Sequence, residues 1–315
     1  MPNSPSSPSA HVDLGLAKPP APQPRALDPV AVLRQQRRMA GLDAVPWLHQ
    51  EVAERMAERL SIIKFQPKRV LQWQGLLGGG GKALSEAYPQ AEQCSVEVTA
   101  ELRARSQLAH KRVWWKAWRG SSALTVEAPE NLAQGRAELV WANMCLHASP
   151  DPVATLRAWH QALAVDGFVM FSCLGPDSFK ELRAIYQQQA WGPSSPEWWD
   201  MHDIGDLMVE AGFADPVMDQ ERIGLTWADG ESLLMDLRAL GGNYAPTRFS
   251  GCRGRQWRAR WLESLEPLRG PDGRLKLSLE LVYGHAFKPQ PRLSISSETH
   301  VSLEQMRAMV RKSSP

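Results

Sequence analysis

At 315 residues the chain has room for one large domain or two small ones, and enough length to bury a core without disulfide or metal staples. Hydrophobic residues make up 43% and charged residues 22%, both ordinary globular values. Lys and Arg number 36 against 34 for Asp and Glu, so the net charge of +2 argues against a nucleic-acid coat protein and leaves only a local basic patch. Cys94, Cys145, Cys173 and Cys252 form no CxxC pair and the eight histidines no HExxH, which argues against a zinc site. No stretch reaches the length of apolar residues that a membrane span needs, and no apolar leader follows the start. A cytoplasmic protein with reduced thiols is the simplest expectation.

Residues 1–29 read as a disordered tail, with eight prolines and four serines and little apolar surface to offset ordering entropy. Leu48, Val52, Met56 and Leu60 then recur every fourth residue among charged neighbours, predicting an amphipathic helix. Strand candidates follow at Arg69–Trp73, Cys94–Val98, Ala123–Glu127, Leu139–Cys145 and Phe168–Cys173, with helical stretches at Glu101–His110 and Val153–Ala164 between them. This alternation predicts right-handed crossovers and a doubly wound, mainly parallel sheet with helices on both faces. Asp151-Pro152 opens the second of those helices with an N-cap and a first-turn proline. Further on come a helix Ile204–Ala211 closed by Gly212-Phe213, a strand Arg222–Trp227, a helix Ser232–Leu240, the turn Gly241-Gly242-Asn243 and a strand Leu277–His285. Segment 248–274 holds seven arginines, with Trp257 and Trp261 four apart, and the last twenty-odd residues contain one short amphipathic helix.

A doubly wound sheet binds ligands outside the carboxyl ends of its strands, beside the first one. The loop there reads Gln72-Trp-Gln-Gly-Leu-Leu-Gly78-Gly79-Gly80-Gly81, either a cofactor loop or a flexible turn. Glu97 ends the second strand. Its carboxylate could accept from both hydroxyls of a ribose, or be a solvated charge.

The run Glu138-Leu-Val-Trp-Ala-Asn143-Met-Cys-Leu-His-Ala-Ser-Pro-Asp-Pro152, with Asp166-Gly167 and the strand after it, resembles the class I S-adenosylmethionine-dependent methyltransferases. Phe171–Arg183, Leu237–Asn243 and Leu279–Phe287 narrow the resemblance to the malonyl-[acyl-carrier-protein] O-methyltransferases of biotin synthesis, and to their sister group of methyltransferase-like assembly factors. It covers roughly residues 30–290, leaving 291–315 as a C-terminal extension.

The resemblance implies a seven-stranded Rossmann-like sheet, mostly parallel with an antiparallel last strand. It implies S-adenosyl-L-methionine held by Gln72, Gly78, Gly79, Gly80, Glu97 and Asn143, and an acyl carrier protein presenting the substrate. The family's first loop reads Asp-x-Gly-x-Gly-x-Gly. Aligned without gaps, Gln72 stands for the Asp, Gln74 for the first Gly and Leu76 for the second; only Gly78 is kept. Alternatively the loop slides by about three residues, so that Gly78–Gly81 form the turn. A missing acid removes an acceptor for the cofactor's amino group, and a Leu would crowd the close approach. The alternative function is therefore an assembly factor or partner-binding protein with weakened cofactor binding.

A malonyl carboxylate is already ionised at neutral pH and needs no base, so the expected substrate residue is a bidentate cation. Arg183 is the first candidate, with Tyr283 and His285 behind it. The arginines of 248–274 could steer an acidic carrier protein, or with their tryptophans bind RNA, although the charge balance makes nucleic acid the weaker expectation.

Overall fold

A computed structural model describes residues 25–114 and 124–291 of the chain. Helix α1 (Pro29–Ala40) starts on Asp28, whose carboxylate accepts from the Val30 and Ala31 amides, with Pro29 at the first helical position. Helix α2 (Trp47–Leu60) buries Leu48, Val52, Met56 and Leu60, the stripe its sequence spacing predicts. The sheet then begins: β1 (Arg69–Trp73), the single turn α3 (Gly75–Gly78), α4 (Gly81–Ala87), β2 (Glu92–Val96), α5 (Ala100–Trp114) and β3 (Thr125–Glu127). Next come β4 (Ala137–Ala142), α6 (Pro152–Ala162), β5 (Leu163–Leu174), α7 (Lys180–Gln188) and α8 (Met201–Glu210). The chain closes with β6 (Ala214–Trp227), α9 (Gly230–Ala239), α10 (Arg255–Ser264) and β7 (Leu275–Phe287).

Strand order is β3-β2-β1-β4-β5-β7-β6. The pairs among β1 to β5 are parallel, and β7 is antiparallel to both its neighbours. The doubly wound, seven-stranded expectation therefore holds. Strand alternation divides the core in two. One face packs Val70, Leu139 and Phe168 against α2, α4 and α7, while the other packs Leu71, Val140 and Phe171 against α6 and α8.

Most element bounds shift by a few residues from the sequence reading, and three differences matter here. Helix α6 stops at Ala162, two residues early, and β5 begins at once at Leu163, running through Asp166, at φ 65°, and Gly167. Strand β6 starts at Ala214, eight residues early. It is an edge strand that tolerates Pro216 at a register shift between Ala214 and Val217. Residues 25–29, expected in the tail, are built into the fold: Asp28 pairs with Arg248 at 2.6 Å, and Arg25 stacks on Trp199. The tail expectation for 1–24 and the extension from 292 onward lie outside the described residues.

Candidate cofactor and acceptor site

Two hollows lie along the carboxyl edge of the sheet, and every candidate residue belongs to one, the other or neither. The first sits after β1 and β4. Gln74, at φ 53°, turns the chain out of β1 into α3, and Gly79 and Gly80, at φ 72° and 86°, turn it again into α4. Each glycine is required by the protein's own close packing. A Cβ on Gly78 would lie 3.2 Å from the Asn143 carbonyl, and one on Gly80 2.9 Å from the Trp141 indole nitrogen. Of the two sequence alignments of this loop, neither describes it fully: the helical turn begins at Gly75, and the positive-φ positions fall on Gln74, Gly79 and Gly80.

The side chains expected to hold a cofactor are largely engaged with each other. Gln72, where an acid would stand, donates from Nε2 to the Gln93 side-chain oxygen Oε1 at 2.7 Å. Asn143 donates to the carbonyls of His49 and Gly78 and accepts from the Ser172 hydroxyl at 2.6 Å. Glu97 is 0% exposed; its Oε1 accepts from the Leu76 amide and the Ser95 hydroxyl, both at 2.8 Å. Its Oε2 has no partner among the described residues. Burial pushes the Glu97 carboxyl up to about 7, against the opposing pull of those two hydrogen bonds.

His49 closes the floor. Its Nδ1 donates to the Leu77 carbonyl at 2.8 Å, leaving Nε2 as a buried acceptor without a partner, and burial lowers its pKa to about 4. His147 is likewise held neutral by burial, at about 3, and accepts from the Leu174 amide. Roofed by α1, the space left in the middle is about 30 Å³, room for a water molecule.

For a nucleoside-bearing sulfonium the site answers differently in chemistry and in volume. In chemistry it fits, because Glu97 stands where a ribose acceptor belongs and has one oxygen free. In volume it does not fit until the Gly75–Gly78 turn moves, since the Leu76 amide already takes the other oxygen and Leu77 is buried against the floor.

The second hollow follows β5 and measures about 650 Å³, within the range of ligand pockets. Arg183 lines it and donates to the Pro176 and Ser178 carbonyls. Two donors spent of five leave its guanidinium with spare hydrogens. Arg25, Tyr186, Ser194, Ser195 and Trp198, none singled out by sequence, share the lining. The only sequence signal for them is the proline-bracketed Pro193-Ser-Ser-Pro196. Trp198 meets the edge of His147 at 6.5 Å, so one aromatic contact separates the two hollows.

Tyr283 and His285 lie in neither. Their register partners are Ser172 and Met170, inward from the carboxyl end of β5. Tyr283 lies under the Arg59 guanidinium of α2 and donates to Glu221, which places the pair in the sheet's packing layer.

Of the seven arginines in 248–274, five are occupied. Arg248 pairs with Asp28, Arg258 with Glu231 and Arg269 with Glu266, while Arg253 donates to the Trp191 carbonyl and Arg274 to Thr226. Arg255 and Arg260 on α10 are exposed, with no ion pair among the described residues. Trp257 and Trp261 do share a face, ring centroids 6.5 Å apart, but Trp261 is buried, so they serve as packing anchors.

Comparison with known proteins adds to this geometry. The chain is 40% identical over 263 residues to the malonyl-[acyl-carrier protein] O-methyltransferase of Gallionella capsiferriformans, covering 82% of this chain and 90% of that one. It is 37% identical over 261 residues to the enzyme of the same name from Laribacter hongkongensis, covering 81% and 88%. No family model matches. Among solved structures, the YcgJ protein of Bacillus subtilis superposes with a TM-score of 0.52 at 11% identity, covering 76% of this chain and all of that one, a likeness of fold.

Proposed function

Because the chain belongs to the malonyl-[acyl-carrier protein] O-methyltransferase family, we propose that it methylates the free carboxylate of a malonyl group carried as a thioester on acyl carrier protein. The observation that carries this reading is 34–40% identity to four such relatives over 81–85% of the chain. S-adenosylmethionine, when bound, supplies an electrophilic methyl group. Glu97 would accept from its ribose hydroxyls, the Gly78–Gly80 backbone would pass beneath it, and Asn143 would keep that backbone in place. Gln72 offers a neutral amide where an acid is usual, so the cofactor's amino group is held more weakly.

The chain's own work is then positional. A malonyl carboxylate is an anion at neutral pH and attacks without a base, which accords with His49 and His147 being neutral, buried and engaged. Arg183 supplies the opposing charge from the open hollow, and its ties to two backbone carbonyls hold it in place. The His147–Trp198 contact and the roof of α1 close the inner end of that hollow toward the cofactor loop. A cytoplasmic setting belongs to the same reading, since all four cysteines are free thiols. No described helix is long and apolar enough to cross a membrane.

The test is methyl transfer from S-adenosylmethionine to malonyl-carrier protein, read by mass spectrometry, with acetyl-carrier protein beside it. A methyl ester on the malonyl form alone supports the reading, and none on either overturns it.

A further inference from the structure

His147 stands where the two hollows meet, and its two ring nitrogens differ in what they meet. The turn Leu146–Ala148 that carries it follows β4 and is tied to the end of β5. Asn143 accepts from the Ser172 hydroxyl, the Met144 amide donates to Ser172, and the Leu174 amide donates to His147 Nδ1 at 3.3 Å. A nitrogen that accepts carries no proton, so the ring is neutral and its one proton is on Nε2. This is the opposite tautomer from His49, whose Nδ1 donates to the Leu77 carbonyl. His49 Nε2 is sealed in the packing. His147 Nε2 is not among the sealed atoms, and it has no acceptor among the described residues.

The ring lines the small void at the cofactor end. Trp198, which lines the large hollow, stands edge-to-face with it at 82°, ring centroids 6.5 Å apart. A cap on the Leu174 amide needs only an acceptor, which an asparagine or a serine would also provide. The imidazole brings a donor besides, at the boundary between the methyl donor's end and the acceptor's. Burial, with a smaller push from His49, lowers the His147 pKa to about 3, so this donor carries no charge in neutral solution.

We infer that His147 orients the acceptor carboxylate, donating Nε2–H to the oxygen that does not attack. This deepens the malonyl-carrier reading and rests on it for the identity of the acceptor. In the transfer the other oxygen forms a bond to the methyl carbon as the carbon–sulfur bond breaks. The bonding pair leaves on sulfur, and no proton moves. An anion and a cation become two neutral products, so the carboxylate's charge is fading in the transition state. A cation bound tightly to the reacting oxygens would stabilise the ground state more than the transition state and slow the step. An uncharged donor fixes direction with less of that cost. Arg183, in the open hollow, draws the anion in, and His147 aims it.

The test is proton–nitrogen NMR of the full-length protein carrying isotopically labelled histidine, the His147 signals being those that His147→Gln lacks. The probe is S-malonyl-N-acetylcysteamine with S-adenosylhomocysteine present, and S-acetyl-N-acetylcysteamine, which has no carboxylate, is the control. Expected are the Nε2–H tautomer in the free protein and a downfield move of that proton with the malonyl probe alone. In turnover of malonyl-carrier protein, His147→Met, which keeps a weak acceptor and loses the donor, should lower kcat about tenfold, the worth of one hydrogen bond. KM for S-adenosylmethionine should not change. His147→Gln should keep most of the rate, because its amide offers an oxygen to Leu174 and an N–H beside it. Circular dichroism checks folding, and the NMR decides alone should His147→Met not fold. The Nδ1–H tautomer would overturn the proposal, as would an unmoved proton in a protein that turns over malonyl-carrier protein. So would a folded His147→Met as fast as the wild type, or a His147→Gln as slow as His147→Met. A moved proton with no turnover of any malonyl thioester would support the donor while removing the proposed reaction.

Discussion

The two hollows share one edge of one sheet, yet one is filled by the chain and the other is not. After β1 the connection to α4 spans a few residues, and its leucines fold back as a helical turn whose Leu76 amide occupies Glu97. After β5 the chain makes a long excursion through α7 and Pro193–Trp198 before α8; Trp198 of that loop is anchored in the core, and the hollow opens beside it. Both ends hold unpartnered buried atoms: His49 Nε2, Glu97 Oε2 and the Trp141 indole at the first, Ser194, Ser195 and Trp198 at the second. The difference is one of occupancy. The cofactor end must displace a piece of its own protein, whereas the acceptor end has only to exclude solvent.

The largest expected effect comes from titrating Glu97. Its folded pKa of about 7 is above the ordinary 4.5, so the stability of the protonated form is fully present below pH 4.5 and is lost as pH rises through 7. At roughly 1.4 kcal/mol per unit, Glu97→Gln should gain about 3 kcal/mol over the wild type between mildly acidic and mildly alkaline solution, read by urea melts. Parallel pH profiles would mean that the carboxylate is not enclosed by the turn. The same enclosure predicts that cofactor affinity rises with pH over that window, because ribose hydroxyls donate to the ionised form.

Gly80→Ala puts a methyl group 2.9 Å from the Trp141 indole at φ 86°, and should cost about 2 kcal/mol in the same melts. A neutral result would mean that this end is loose enough to open without cost. Leu76→Gly weakens the turn that occupies Glu97 and should tighten S-adenosylhomocysteine binding severalfold, about 1 kcal/mol. Weaker binding instead would show the turn helping the cofactor rather than competing with it. Smallest is the charge reversal Arg255→Glu with Arg260→Glu, which should raise KM for malonyl-carrier protein about threefold and flatten its salt dependence. Unchanged salt dependence would move the carrier's footing away from α10.

The sequence carried the sheet well because apolar runs such as Val70-Leu71 and Val169–Phe171 alternate with amphipathic helices, and both patterns follow from burial. It carried less of β6, whose first half, Asp-Pro-Val-Met-Asp-Gln, is half exposed at an edge and has no buried stripe to announce it. Helix α1 does open on Asp28-Pro29, as α6 opens on Asp151-Pro152, but its basic, weakly apolar face shows little stripe, and its seating depends on Arg105, Arg238 and Arg248 from distant parts of the chain. At the site, the strand pattern alone put Glu97 at the carboxyl edge, where it follows directly after β2, whereas Asn143 entered only through the family resemblance. His49, Ser194 and Ser195 were not legible, because nothing local distinguishes a histidine or a serine that lines a hollow from one that faces solvent. Tyr283 and His285 misled for a related reason: alternation gave the correct shared face, but not how far along β7 the carboxyl edge lies.

The most direct measurement is calorimetric titration of S-adenosylhomocysteine into the wild type and Glu97→Ala at mildly alkaline pH, with amide hydrogen exchange of residues 74–81 followed in both. The account predicts micromolar binding to the wild type that the variant loses, with faster exchange at Leu76 once the ligand is bound. Absence of binding at millimolar ligand, or equal binding to both proteins with the turn unmoved, would contradict it.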